Sequence, residues 1–207
     1  MKGLANEEII WDNFRAGSEE AYALIYETYS SILYSYGCSL NHDKELVKDC
    51  LQDLFVNLWH KRTSLGPTNS IKYYLFRSLR RELVRTLRQR SIVMEASDTL
   101  TEYSAEDRWI GSEDNSSMKR MLENALSKLS ERQREAIYLR FFQSMEFEDI
   151  ARIMDITPRA VYKLIYRAID VLHKNYFPAA QKDSPALLVS YPEFQLYLLL
   201  LLFCISF

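Results

Sequence analysis

Two stretches of this chain set cationic side chains among aromatic ones at helical spacing. That combination binds a nucleic acid through both its phosphates and its bases. The first, from Ile71 to Arg90, reads IKYYLFRSLRRELVRTLRQR. In it Lys72, Tyr73, Tyr74, Phe76, Arg77, Arg80, Arg81 and Arg85 surround an apolar stripe of Leu75, Leu79, Leu83 or Val84, and Leu87. Arginines track a phosphate backbone, and aromatic rings offer π-faces to unstacked bases, so the segment suits single-stranded or melting DNA better than an intact duplex. Like charges four residues apart, such as Arg77, Arg81 and Arg85, repel one another, and an anionic partner is expected to compensate them. The plainer alternative is a solvated basic helix whose aromatics belong to the core.

The second stretch predicts a helix-turn-helix. Glu148–Met154 is a short helix with Ile150, Ala151 and Met154 inward, and Asp155–Ile156–Thr157 is a three-residue turn. Thr157 caps the next helix, and Pro158 takes its first position, where an amide hydrogen would go unpaired in any case. Val161, Leu164, Ile165, Ala168, Ile169 and Leu172 share one face of that helix; Pro158, Arg159, Tyr162, Lys163, Tyr166 and Arg167 fall at its start and on the other. A helix about 10–12 Å across fits a major groove about 12 Å wide. The alternative is an ordinary helical hairpin with a solvated basic face. A left-handed residue in the turn would favour glycine, and Asp155 tolerates that conformation less readily.

Little else in the chain could do chemistry. Cys38, Cys50 and Cys204, with His42, His60 and His173, are too few and too scattered for a disulfide framework or a zinc site. There is no glycine-rich phosphate loop and no nucleophile–histidine pairing, so no enzyme and no cofactor are expected. The N-terminus MKGLANEEIIWDNF carries acidic residues where a secretory signal has its apolar stretch, which points to a reduced, cytoplasmic protein.

The elements that position these residues follow from composition and patterning. The chain has 207 residues, 48 % of them hydrophobic, with only 5 glycines and 5 prolines. That favours long helices over a sandwich of short strands. The net charge of −2 excludes coating of nucleic acid by bulk charge and requires a local basic patch. Ser18, Glu19 and Glu20 open a helix with Leu24, Ile25, Thr28, Tyr29 and Ile32 on its buried face. The next carries Val47, Cys50, Leu51, Leu54, Phe55 and Leu58, ends near Trp59, and leads into a loop from Lys61 to Ser70. Ser130–Glu131–Arg132–Gln133 fits a capping box. Between Ile71 and Arg90 seven basic residues face one acidic residue; between Ser91 and Ser117 seven acidic residues face only Arg108. The second stretch has no apolar period and reads as a flexible linker. The expected fold is all-α: two small helical domains, 1–90 and 118–178, joined by the acidic linker 91–117 and followed by an apolar tail, 179–207.

In the tail, Leu196–Ile205 is uninterrupted but shorter than the 18–20 residues of a membrane span. It is expected to pack on the second domain, to dock on a regulator, or to lie in a membrane interface.

The order of a helical domain with Asp49-Cys50-Leu51-Gln52-Asp53-Leu54-Phe55-Val56-Asn57-Leu58-Trp59, then YYLFRSLRRELVRTLRQR, an acidic linker and a C-terminal helix-turn-helix resembles the bacterial RNA polymerase sigma factors of the extracytoplasmic-function (ECF) group. The likeness runs from about Trp11 to Asn175. It implies a transcription initiation factor without catalysis of its own, whose partners are core RNA polymerase (the β′ clamp helices and β flap), promoter DNA and an anti-sigma factor. It also implies that Asp49, Gln52, Asp53 and Asn57 dock on the clamp helices. The loop Lys61–Ser70 and the basic aromatic helix would then capture the melted −10 element, and the helix-turn-helix would read the −35 duplex. Arg81, Arg85, Tyr162 and Leu164 stand where many members carry other residues, so no promoter sequence carries over. A helix-turn-helix regulator acting without polymerase is the competing reading, weakened by the acidic total and the second basic helix.

Overall fold

The computed structural model describes residues 6–96 and 127–176, and the chain divides into two compact units, Met1–Ala105 and Glu106–Phe207. All described regular structure is helical. The first unit holds α1 (Glu7–Arg15), α2 (Glu19–Leu40), α3 (Lys44–Lys61) with a short 3₁₀ turn at Arg62–Ser64, and α4 (Ile71–Ala96). The second holds α5 (Glu131–Ile137), a π turn at Tyr138–Phe142, α6 (Phe147–Met154) and α7 (Pro158–Tyr176). The residues between Ala96 and Ser127, most of the acidic stretch, and the apolar tail lie outside the described residues.

The helix starts are where local chemistry puts them. Ser18 Oγ accepts the Ala21 amide at 3.1 Å to open α2, and Asp43 Oδ1 accepts the Leu46 amide at 2.9 Å to open α3. Both halves of the Ser130–Gln133 capping box are formed. The Leu46 amide and, behind it, the Arg90 guanidinium hold the Asp43 carboxyl below the usual carboxylate range. Arg90 Nη1 lies 2.9 Å from Asp43 Oδ2 and so ties the far part of α4 to the start of α3.

In the first unit α2 packs against α1, α3 and α4, and α3 packs against α4. The buried face of α2 is Ala21, Ile25, Tyr29, Leu33, Tyr36 and Gly37, rotated from the expected stripe so that Leu24 is exposed. Tyrosines enter this core because partners reach them: the Tyr29 hydroxyl donates to Glu7 Oε1 at 2.8 Å. On α4 the stripe of Leu75, Leu79 and Leu83 is buried as expected, but Val84 and Leu87 are exposed. The helix also runs six residues past Arg90, where a linker was expected.

Gly37 on α2 packs directly against Val47 on α3. A Cβ there would stand 2.5 Å from Val47 Cγ1, and Val47 is fully buried and stiff at χ1. Gly37→Ala gains up to about 1 kcal/mol of helix propensity but loses about 1–3 kcal/mol to overpacking. Thermal melting is expected to show a net loss, recovered in part by adding Val47→Ala.

Candidate nucleic-acid interface

The N-terminal turn of α4 is held from two sides. Ser70 Oγ accepts the Tyr73 amide at 3.2 Å, and Glu7 Oε2, from α1, accepts the Ile71 amide at 2.7 Å. A carboxylate at a helix N-terminus is favoured by the dipole as well as by the hydrogen bond. Lys72 is half-buried beside this cap, and burial pushes its amine below the ordinary lysine value while Glu7 opposes the shift.

Further along α4 the cationic and aromatic residues separate into two environments. Tyr73 and Tyr74 are half-buried, with the Arg77 guanidinium 5.9 Å from the Tyr73 ring centroid and Tyr74 tilted against Trp11 at 5.1 Å. Arg81 and Arg85 are exposed, and Arg77 and Arg80 are half-buried. Arg85 is ion-paired with Glu82 on its own helix, which supplies part of the compensation that the arginine repeat demands. Phe76 is the exception among the residues expected to meet DNA. It is fully buried, its ring 4.8 Å from that of Tyr36, and its π-face is spent on the α2–α4 contact. Adjacent positions on a helix differ by about 100°, so Phe76 turns inward where Tyr73 and Tyr74 lie at the margin.

The loop before α4 is braced by side chains that sequence reasoning did not single out. Trp11 Nε1 donates to the Gly66 carbonyl at 2.9 Å, and Arg15 Nε donates to the neighbouring Leu65 carbonyl at 2.7 Å. Together with Glu7 they form a line down α1, at i, i+4 and i+8, that fixes the loop and the start of α4. The only sequence signal was that spacing; the partners lie 50 to 64 residues away. At the loop's near end Arg62 lies over the Trp59 ring at 4.2 Å and donates to the Trp59 carbonyl.

On α3 the expected polar face is intact. Asp49, Gln52, Asp53 and Asn57 are all exposed, while Cys50, Leu54, Phe55 and Leu58 are buried opposite them. Val56, also exposed, sits in the same stripe and places an apolar group amid the acidic ones. Burial raises the Cys50 thiol above its ordinary value, so it stays protonated and inert.

The second unit contains the helix-turn-helix. Its turn is made by Asp155, which does adopt the left-handed conformation at φ 56° and ψ 49°, with the Ile156 amide donating to the Ala151 carbonyl. Thr157 Oγ1 accepts the Ala160 amide at 3.2 Å, so the expected cap is formed. Val161, Ile165, Ala168, Ile169 and Leu172 are buried, Leu164 only partly. Pro158, Arg159, Tyr162, Lys163 and Arg167 are exposed and Tyr166 is half-buried, so α7 presents a cationic, aromatic outer face. Among the described residues no cluster of ligating side chains could hold a metal, and no helix is long and apolar enough to cross a membrane.

Comparison with known proteins places both units. The model of sigma-70 region 2 matches residues 25–92, and that of sigma-70 region 4 matches residues 119–171. Two relatives from Bacillus subtilis (strain 168) are each 24 % identical. The ECF RNA polymerase sigma factor SigM aligns over 144 residues, 70 % of this chain and 88 % of its own length; SigX aligns over 166 residues, 76 % and 84 %. Among solved structures, the sigma factor RpoE of Bartonella quintana, in complex with the anti-sigma factor NepR, matches at a TM-score of 0.56 and 24 % identity. That match covers 79 % of this chain and 98 % of RpoE. CnrH, solved with the cytosolic domain of CnrY, matches at 0.57 and 20 %, over 84 % and 99 % of the two chains. Regions 2 and 4 occur here in order on the two helical units, with the spent and open faces just described, and the chain belongs to the sigma-70 family, in its ECF group of transcription initiation factors.

Proposed function

We propose that this factor divides promoter recognition between its two units on a core polymerase that supplies all catalysis. In this reading residues 1–96, to the end of α4, form the polymerase-binding and −10 domain, 97–117 the linker, and 118–178 the −35 domain. The observation that carries it is that Asp49, Gln52, Asp53 and Asn57 are all exposed along one side of α3. A stripe of this kind costs nothing in folding stability and suits a complementary, basic surface such as the β′ clamp helices. Val56 supplies the apolar centre that such an interface needs.

The braced loop 61–70 would hold an unpaired base of the −10 element. Lys72, Tyr73, Tyr74, Arg77, Arg80, Arg81 and Arg85 would follow the melted strand from it. The outer face of α7, with Pro158, Arg159, Tyr162, Lys163, Tyr166 and Arg167, would enter the −35 major groove while the β flap holds the unit in place. The likeness to RpoE and CnrH, whose solved complexes hold NepR and CnrY, supports an anti-sigma factor as the regulator of a cytoplasmic protein. The apolar tail would pack on the second unit, contact that regulator or lie in a membrane interface.

Run-off transcription on sheared genomic DNA with purified core polymerase tests this reading. Discrete transcripts are expected only when the factor is added. Asp49→Lys with Asp53→Lys should lower core affinity at least about 30-fold, the effect of removing an interface hot spot, and should leave the melting curve unchanged. Operator binding without core, together with no new transcripts, would instead identify a regulator that acts without polymerase.

A further inference from the structure

The outer face of the helix-turn-helix carries a column of stacked side chains drawn from three elements. Tyr162 on α7 lies flat on Phe147 of α6, with centroids 3.9 Å apart and planes 7° from parallel. Tyr166, one turn further along α7, continues the column at 6.3 Å and 14°. On Phe147 the Arg140 guanidinium stands 4.8 Å from the ring centroid. A ring has two faces and Tyr162 fills one, so Arg140 takes the other. Arg140 comes from the π turn and is itself fixed, its Nη1 donating to the Met145 carbonyl at 2.8 Å and to Glu146 at 3.3 Å. Short π segments of this kind are rare and concentrate at functional sites.

This arrangement has no evident use in the core. Tyr162 is 42 % exposed, yet one face of its ring is stacked on Phe147, and such a contact favours one rotamer where a tyrosine on a bare helix surface samples several. Fixing a ring in advance lowers the entropy lost when it is bound, which is how rigid aromatic anchors contribute to recognition. Arg159 and Lys163 flank it on α7 and are exposed. A held apolar ring among cations matches a partner that is anionic at its rim and offers apolar groups within. The major groove does both, through its phosphates and the C5-methyl of thymine.

We propose that Tyr162 sets sequence preference at one base pair of the −35 duplex by packing on a thymine methyl, and that Phe147, through the stack with Arg140, is the positioning residue that holds it there. The assignment rests on the reading that α7 enters the −35 element. Holoenzyme reconstituted with the full chain provides the test, on promoter fragments that the wild-type holoenzyme has selected from random sequence. Replacing single −35 thymines by deoxyuridine removes only the methyl group. At one position the wild type is expected to bind the thymine fragment about fourfold more tightly, the worth of one buried methyl group. Phe147→Leu and Tyr162→Leu should both erase that ratio, while Phe147→Tyr, which keeps the stack, should preserve it. Core binding should not change. A Phe147→Leu protein that folds and retains the full ratio overturns the positioning role. Should that variant fail to fold, an undiminished ratio in Tyr162→Leu overturns the proposal by itself. A wild-type holoenzyme that selects a −35 sequence but is indifferent to every thymine methyl also overturns it. One that selects no −35 sequence overturns the parent reading along with it.

Discussion

Phe76→Ala is expected to cost the first unit about 3–5 kcal/mol, the loss typical of a large ring removed from a packed core. The ring is fully buried against Tyr36, and nothing in the α2–α4 contact can close over the gap without moving a helix. Urea unfolding of the full chain should show this as an earlier transition for one of the two units. Any fall in transcription by the variant should then track its folded fraction and disappear at low temperature. Arg81→Ala, five residues on and exposed, is expected to behave in the opposite way. Its stability should stay within about 0.5 kcal/mol of wild type, while binding to melted promoter weakens and the salt dependence flattens by about one ion. The pair separates a residue that builds the helix bundle from one that meets the nucleic acid. Equal stability losses in both would contradict the assignment.

The second large effect is expected from the α1 brace. Trp11→Phe removes the donor to the Gly66 carbonyl but keeps a ring against Phe14 and Tyr74, and Arg15→Leu removes the donor to Leu65. One bond is neutral and one is charge-assisted, so the double variant should lose about 2–4 kcal/mol of loop and domain stability. The functional consequence is more selective than the stability loss. The loop 61–70 would no longer be held in one conformation, so promoter opening should fall about tenfold or more, the equivalent of 1.4 kcal/mol of lost preorganisation. Core binding through the acidic stripe on α3 should remain. Fluorescence of 2-aminopurine placed in the −10 element reads the opening directly, and co-elution with core reads the rest. A double variant that opens promoters at the wild-type rate would show that the loop needs no brace. Glu7→Gln extends the series: its one carbonyl oxygen can still accept the Ile71 amide, while its amide nitrogen can only donate to the Tyr29 hydroxyl oxygen and the charge is gone, so a smaller loss is expected.

The sequence by itself determined what depends on neighbours within a turn or two. Ser18, Ser130 with Gln133, and Thr157 with Pro158 cap helices because a side-chain oxygen three residues before an amide reaches it whatever the rest of the chain does. Periodicity was enough to mark the inner faces of α3 and α7 and to leave Asp49, Asp53, Arg159 and Lys163 outside, since burying an unpaired charge is prohibitive. Asp155 could be read as the turn residue for the same local reason. Tertiary structure alone decided how the wide faces of amphipathic helices divide. Leu24, Val84 and Leu87 ended exposed and Phe76 buried because which part of a broad apolar sector meets a neighbour depends on where α1, α2 and α3 lie, and a residue's own periodicity carries no record of that. The brace from Glu7, Trp11 and Arg15, and the column from Arg140 to Tyr166, were invisible for a related reason. Each joins residues from different elements, and a hydrogen bond or ring stack between them exists only once the core has brought those elements into register.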